Sequence, residues 1–218
     1  MENVLFKQYR ALEKGEFICV GVDTAAGGID SCVGQFLSKN KLDVPIVFAA
    51  NITANEMTPI IYEALNNIYK LTEVRPCVAY ERNNGGVFEM ERLARMNRQD
   101  KYTIFEMFEY GTNANRIPYK IGWETNSATR NKMLIDLKEA IDKKLIRIYD
   151  ETTIQELFSF IVVQLKTRWK AAANVGYHDD HIMSLAIAWQ LFLTQQPLET
   201  VNETDLPKVQ LFDEDGFY

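Results

Sequence analysis

The segment GYHDDHIMSLAIA, residues 176–188, places two adjacent acids, Asp179 and Asp180, at the start of an apolar helix. Residues 182–193 contain no Gly or Pro and are apolar on nearly every face, which is typical of a buried helix that is too short to span a membrane. A carboxylate in the first turn can cap free N–H groups, but one cap needs only one acid. The second acid, flanked by His178 and His181, raises repulsion unless a metal ion or a basic partner neutralises it, so helix capping and metal binding both stay open for this segment.

Two further acids each follow a predicted strand. The apolar run FICVGVD (17–23) ends in Asp23 and is followed by a glycine-containing stretch, after which SCVGQFL (31–37) resumes an extended pattern. These two runs predict a hairpin. The run RPCVAYERNNGG (75–86) has a similar pattern, in which the apolar part ends in Glu81. An acid after a strand is usually a turn residue, but the convergence of all these acids would need another explanation.

Such convergence has an electrostatic cost. Two carboxylates about 4 Å apart repel each other by about 4 kcal/mol at an effective dielectric constant near 20. Hard divalent cations that prefer oxygen ligands, Mg²⁺ or Mn²⁺, would remove this repulsion. A pair of such ions can activate a water molecule and stabilise the leaving oxygen of a phosphodiester. We therefore expect phosphoryl chemistry on a nucleic acid.

The composition predicts one soluble, intracellular domain. The chain has 218 residues, 47% of them hydrophobic, which suffices for one full core, and it shows neither a signal segment nor a run of about 18 apolar residues. The net charge is −6, but residues 199–218 contain six acids and one Lys, so this tail carries −5 and residues 1–198 carry −1. We expect low order in the tail. The odd number of cysteines and the absence of a CxxC spacing predict buried free thiols at Cys19, Cys32 and Cys77.

Hydrophobic periodicity predicts a mixed α/β layer fold. Strands are expected at 17–23, 31–37, 44–51, 76–81, 102–108 and 146–149. Helices are expected at 55–70, 86–97, 127–144 and 153–160, and after Asp180, whereas residues 161–172 are interpreted as a strand or hairpin.

Three motifs in this order resemble the acidic motifs of the ribonuclease H-like nucleases: GVDTAAGGIDSCVG (21–34), AYERNNGG (79–86) and GYHDDHIMSLAIA. The closer resemblance is to the C-terminal nuclease domain of the large terminase subunit of tailed bacteriophages and herpesviruses. The stretch GWETNSATRNKMLIDLKEAI (122–141) is similar to the segment that precedes the last acidic motif in phage terminases.

The resemblance implies an α/β fold with a ribonuclease H-like mixed sheet flanked by helices. The chain would then consist of a linker remnant at 1–15, a nuclease domain at 16–197 and an acidic, flexible C-terminal tail at 198–218. It has no GxxxxGK[ST] phosphate-binding loop, so ATP-driven translocation is not expected from it.

By position, the resemblance makes Asp23 the first metal-binding catalytic acid, bridging two ions, and Glu81 the second. Asp179 or Asp180, or both, would be the third. Supporting roles around the ligands would fall to His178, Asp30 and Asn84, with a surface histidine and a turn aspartate as the alternatives for the first two. The basic residues that would contact DNA are Lys120, Arg130, Lys132, Lys166 and Arg168. Trp123 lies on the segment thought to face DNA in this family, although a tryptophan there can equally be core.

The function implied by the resemblance is that of a metal-dependent DNA endonuclease. It would cut concatemeric viral DNA during genome packaging, by two-metal hydrolysis with Mg²⁺ or Mn²⁺ and with little sequence specificity. Its partners would be double-stranded DNA, an ATPase domain, the small terminase subunit and the portal protein, in the host cytoplasm and without a membrane; the isolated chain would be a monomer. The alternatives are another ribonuclease H-like nuclease, such as a junction resolvase or an exonuclease, and a non-catalytic module that docks onto a portal or capsid protein.

Overall fold

The fold is built around a six-stranded mixed sheet. The computed structural model describes residues 5–24, 31–83, 85–108, 119–166 and 179–198, with the backbone alone at residues 108, 119 and 160–166. The strands are β1 (Phe6–Gln8), β2 (Ile18–Asp23), β3 (Cys32–Ser38), β4 (Asp43–Ala50), β5 (Cys77–Tyr80) and β6 (Thr103–Ile104). Their order is β1-β4-β3-β2-β5-β6, where β5 runs parallel to both β2 and β6 and the other pairs are antiparallel. A separate hairpin pairs β7 (Glu106–Phe108) with β8 (Tyr119–Ile121).

Helices cover both faces of this sheet. They are α1 (Ala54–Thr72), α2 (Gly86–Met96), α3 (Ser127–Asp142), α4 (Glu151–Lys166) and α5 (Asp180–Thr194). Side chains of α1 and α2 form one core with alternate residues of β2, such as Val20, and side chains of α3 and α5 form a second core with residues such as Cys19. Within the described part of the chain, no helix is long and apolar enough to cross a membrane.

The central position of β2 explains its sequence. All six of its residues are buried, because helices cover both of its faces, and such strands are continuously apolar rather than alternating. The three cysteines, Cys19, Cys32 and Cys77, lie in central strands and are buried free thiols, as predicted.

Residues near the start of the chain are anchored to the domain. Strand β1 lies inside the segment predicted as a linker remnant, yet it pairs with β4. Just after it, the guanidinium of Arg10 donates hydrogen bonds of 2.6–3.0 Å to the carboxylates of Glu16 and Asp43, which are each 2% exposed. The predicted division at residues 15/16 and the tail at 198–218 stay predictions, since most of the tail lies outside the described residues.

Two predicted elements are wrong. Residues 146–149 form no strand: Arg147 makes only a single β-bridge to Asp43. Residues 161–166 continue α4 rather than starting a strand, because helix context overrides the modest strand preference of a β-branched pair such as Val162 and Val163. The remaining predicted helices and strands are present within a few residues, except that the strand expected at 102–108 is divided between β6 and β7.

Candidate metal centre

Two buried acids lie side by side at the ends of two parallel strands. Val22 of β2 is in register with Tyr80 of β5, so Asp23 and Glu81 emerge at the same edge of the sheet. The Glu81 amide donates to the Val22 carbonyl at 2.8 Å, and the two acids are 8% and 7% exposed. Burial raises the pKa of Asp23 well above its usual range, and a hydrogen bond with Glu81 and the charges of Glu81, Asp180 and Asp179 raise it further.

Helix α5 brings the third acid to this edge, and a glycine in β2 permits its approach. A Cβ atom on Gly21 would lie 2.1 Å from the Ser184 carbonyl oxygen and 2.3 Å from the Ala188 nitrogen, so only a glycine lets α5 lie directly on β2. Asp180 in the first turn of α5 accepts a hydrogen bond from the Ser31 amide at 3.2 Å. The close packing of α5 on β2 therefore carries Asp180 toward Asp23.

Asp179 has a different partner. It occupies the N-cap position of α5 but makes no side-chain capping hydrogen bond. Its Oδ2 instead forms an ion pair with the Arg130 guanidinium of α3 at 2.5 Å, and the same guanidinium donates to the Met183 sulfur at 2.9 Å. The capping role considered for Asp179 is therefore wrong, because its carboxylate faces α3 rather than the free amides of its own helix.

The cap of α5 comes from a residue that the sequence did not single out. Glu156 of α4 accepts hydrogen bonds from the amides of His181 at 3.0 Å and Ile182 at 3.3 Å, both through Oε2. Burial raises the pKa of Glu156 to about 8; the charges of Asp180 and Asp179 act in the same direction, and the two amide hydrogen bonds oppose it. No local pattern marks Glu156 in the sequence, since its role depends on the packing of α4 against α5.

A buried polar network lies behind the first turn of α5. The His181 Nδ1 atom is 3.0 Å from Thr153 Oγ1, which also accepts from the Gln35 amide at 2.8 Å and donates to Asp150 at 2.9 Å. Lys7 of β1 forms an ion pair with Asp150 at 2.9 Å. Burial lowers the pKa of His181, which favours the neutral imidazole at this position.

On the β5 side, Glu81 is held by backbone and side-chain contacts. Asn83 donates to its Oε1 atom at 3.2 Å, and a Cβ on Gly86 would lie 1.8 Å from its carbonyl oxygen, so α2 begins directly against it. Trp123 forms a parallel bridge with Glu81, is 6% exposed and stacks on Phe105. Trp123 is thus a core residue.

The predicted DNA contacts are partly paired with acids. Lys120 pairs with Glu124 at 2.9 Å, Lys132 with Asp136 at 2.5 Å, and Arg130 with Asp179. Their role in binding DNA stays a prediction. Residues outside the described part of the chain are His178, Asp30, Asn84 and Arg168, and only the backbone of Lys166 is described.

The donor set of this edge fits a hard divalent cation. Its groups are carboxylates, which Mg²⁺ and Mn²⁺ prefer, and the charges of Glu81, Asp180 and Asp179 add to the effect of burial in raising the pKa of Asp23. Among the described residues, no three His, Cys, Asp or Glu side chains are close enough to form a ready-made cage around an ion. The acids lie at one edge of the sheet, and binding of a metal ion would require their side chains to move closer together.

Comparison with known proteins identifies the fold. No family model matches the chain, and no curated protein does. Among solved structures, the large terminase nuclease from thermophilic phage G20c with bound magnesium is similar over 87% of this chain and 89% of its own, with a TM-score of 0.57 and 16% identity. The zinc-bound form of the G20c nuclease covers 87% and 90%, with a TM-score of 0.55 and 18% identity. The Thermus phage P74-26 large terminase nuclease domain covers 90% of both chains, with a TM-score of 0.55 and 15% identity.

The fold is therefore ribonuclease H-like, a mixed sheet flanked by helices, as predicted. More specifically, it is similar to the fold of phage large terminase nucleases, so the fold implied by the terminase resemblance is confirmed.

Proposed function

We propose that this chain is a divalent-metal-dependent endodeoxyribonuclease, the nuclease of a large terminase subunit. It would cut concatemeric viral DNA during genome packaging. The observation that carries the proposal is the pair of buried acids at adjacent strand ends, Asp23 and Glu81, with Asp180 of α5 close enough for its charge to raise the pKa of Asp23. The terminase fold supports the proposal, because a structurally similar phage nuclease was solved with bound magnesium.

The chain's own residues suggest how the centre would be organised. Asp23, Glu81 and Asp180 would hold the metal, whereas the ion pair with Arg130 favours a supporting role for Asp179. The Asn83 amide orients Glu81, and the Ser31 amide orients Asp180. Two bound Mg²⁺ or Mn²⁺ ions would supply an activated water and stabilisation of the leaving 3′-oxygen.

Substrate binding would rely on the phosphate backbone. The candidate contacts are the basic residues predicted from the sequence, which are Lys120, Arg130, Lys132, Lys166 and Arg168. Contacts to phosphate carry no sequence information, so we expect little sequence specificity. In the packaging machine the chain would act beside an ATPase domain, the small terminase subunit and the portal protein, in the host cytoplasm.

A plasmid assay tests this function. Supercoiled plasmid is incubated with the protein in Mn²⁺, in Mg²⁺ and in EDTA, with Asp23→Asn and Glu81→Gln alongside. Asp142→Asn is the control, because Asp142 is an exposed acid of α3 that pairs with Lys138. We expect metal-dependent cutting by the wild type and the control, and a loss of about 100-fold or more in the two site variants.

The same assay separates the alternative functions. Activity only on four-way junctions or only from DNA ends would indicate another ribonuclease H-like nuclease. Undiminished cutting by a folded Asp23→Asn variant would refute the assignment of the site. Tight binding of a portal or capsid protein that neither EDTA nor Asp23→Asn affects, without any cutting, would indicate a docking module instead.

A further inference from the structure

Helix α4 holds the first turn of α5 through two residues that are one turn apart. Thr153 contacts the imidazole of His181 at 3.0 Å, and Glu156 accepts from the backbone amides of His181 and Ile182. His181 directly follows Asp180 in the chain. The orientation of the turn that carries the acids therefore depends on α4.

The source of this cap is unusual. An N-cap residue commonly supplies the cap from its own side chain, but Asp179 at this position is bound to Arg130 instead. A half-buried carboxylate from α4 replaces it, although the charges of Asp179 and Asp180 act against its ionised form, so the arrangement has an electrostatic cost. This cost brings a benefit. Because Glu156 accepts the hydrogen bonds from the amides of His181 and Ile182, the carboxylates of Asp179 and Asp180 are not needed as caps.

We propose that Glu156 is a positioning residue of the metal centre, which acts through the first turn of α5 to orient Asp180 toward Asp23 and Glu81. Its Oε2 atom accepts both amide hydrogen bonds, so the role assigned to it is to hold the turn rather than to bind the metal. The inference rests on the proposed function, since it concerns the affinity of that centre for its metal. Supporting groups around a metal typically change affinity by about 10- to 100-fold when they are removed.

Three variants test the role of the hydrogen bonds. Glu156→Gln keeps one side-chain oxygen acceptor, which suffices because both amides use the same oxygen; Glu156→Ala removes it. Glu151→Ala is the control, since Glu151 is exposed in the first turn of the same helix and contacts Gln155 rather than α5.

The first readout is the Mn²⁺ concentration that gives half-maximal plasmid cutting. We expect Glu156→Ala to raise it by about 10-fold or more, with the rate at saturating Mn²⁺ much less affected, and Glu156→Gln and Glu151→Ala to match the wild type. A merely structural role would lower the rate at every metal concentration. An unchanged midpoint in Glu156→Ala, or an equal change in Glu156→Gln, would overturn the proposal.

The second readout needs neither metal nor DNA. Amide hydrogen exchange followed by NMR should show faster exchange at His181 and Ile182 in Glu156→Ala, and wild-type exchange in Glu156→Gln and Glu151→Ala. Equal exchange in all four proteins would refute the positioning role. If the wild type cuts no DNA while the exchange pattern is as expected, the proposed function fails and the contact between α4 and α5 stands.

Discussion

Substitution of Gly21 by Ala should push helix α5 away from strand β2. The new Cβ would lie 2.1 Å from the Ser184 carbonyl oxygen and 2.3 Å from the Ala188 nitrogen. Carbon–oxygen contacts in proteins lie at about 3.3–3.6 Å, so the helix must move by about 1.2 Å. Both obstructing atoms belong to backbone, and no side-chain rotation can relieve the clash.

The displacement has two measurable consequences. Overpacking of this kind costs about 3 kcal/mol, which lowers the melting temperature of a protein of this size by about 6 °C or more. Because α5 carries Asp180, a shift of about 1 Å should also reduce metal-dependent plasmid cutting by about 100-fold. Circular dichroism gives the melting curve, and cutting is assayed well below the transition so that folded protein is compared.

Gly34→Ala is the matched control. Gly34 pairs with Val22 on the neighbouring strand, but a Cβ there would lie no closer than 3.4 Å to any neighbouring atom. We expect near wild-type melting and cutting. If Gly21→Ala melts and cuts like Gly34→Ala, the close packing of α5 does not position the third acid, and this part of the reasoning is refuted.

Three further outcomes are expected from the charges of the protein. Millimolar Mn²⁺ should raise the melting temperature of the wild type and raise it less in Asp23→Asn, as measured by differential scanning fluorimetry; equal increases would place the metal elsewhere. Arg10→Met should cost about 3–5 kcal/mol of unfolding free energy in urea denaturation, because it removes the cation that pairs with the buried carboxylates of Glu16 and Asp43. Lys14→Met, which breaks an exposed ion pair, should cost less than about 1 kcal/mol, and similar losses in the two variants would contradict this account. Burial raises the pKa of Asp150, but hydrogen bonds lower it overall to about 2. The contribution of Asp150 to stability is therefore present above about pH 4 and is lost as the pH falls toward 2. Asp150→Asn should reduce this acid-induced loss of stability, as measured by melting curves between pH 2 and 5.

Local pattern was sufficient for the acids at the strand ends. Asp23 and Glu81 each follow an apolar run, and parallel pairing of β2 with β5 brings such residues to the same edge. The strand ends are encoded nearby in the chain, whereas the parallel pairing that places both ends at one edge is a long-range contact that the structure shows. The order of the three acidic motifs resembles that of terminase nucleases, and the fold comparison agrees with this resemblance.

Long-range contacts were not predictable in the same way. The sequence left capping and metal binding open for Asp179, and only the packing of α3 against α5 shows that Arg130 neutralises it. Glu156 is one polar residue of an amphipathic helix, and its function depends on a neighbour 25 residues further along the chain. The prediction of a strand or hairpin from residue 161 is wrong, because the strand preference of β-branched side chains is weaker than the context of the helix that continues through residues 161–166.

The two outer strands of the sheet are also its shortest. Strand β6 has two residues and β1 has three, whereas β4, which β1 covers, has eight. Unpaired backbone groups along a long outer strand are a template for association between molecules, and a short covering strand blocks it. Removal of residues 1–15, which the linker interpretation would allow, takes away this cover, and we expect the shortened protein to associate through β4 more strongly than the full chain.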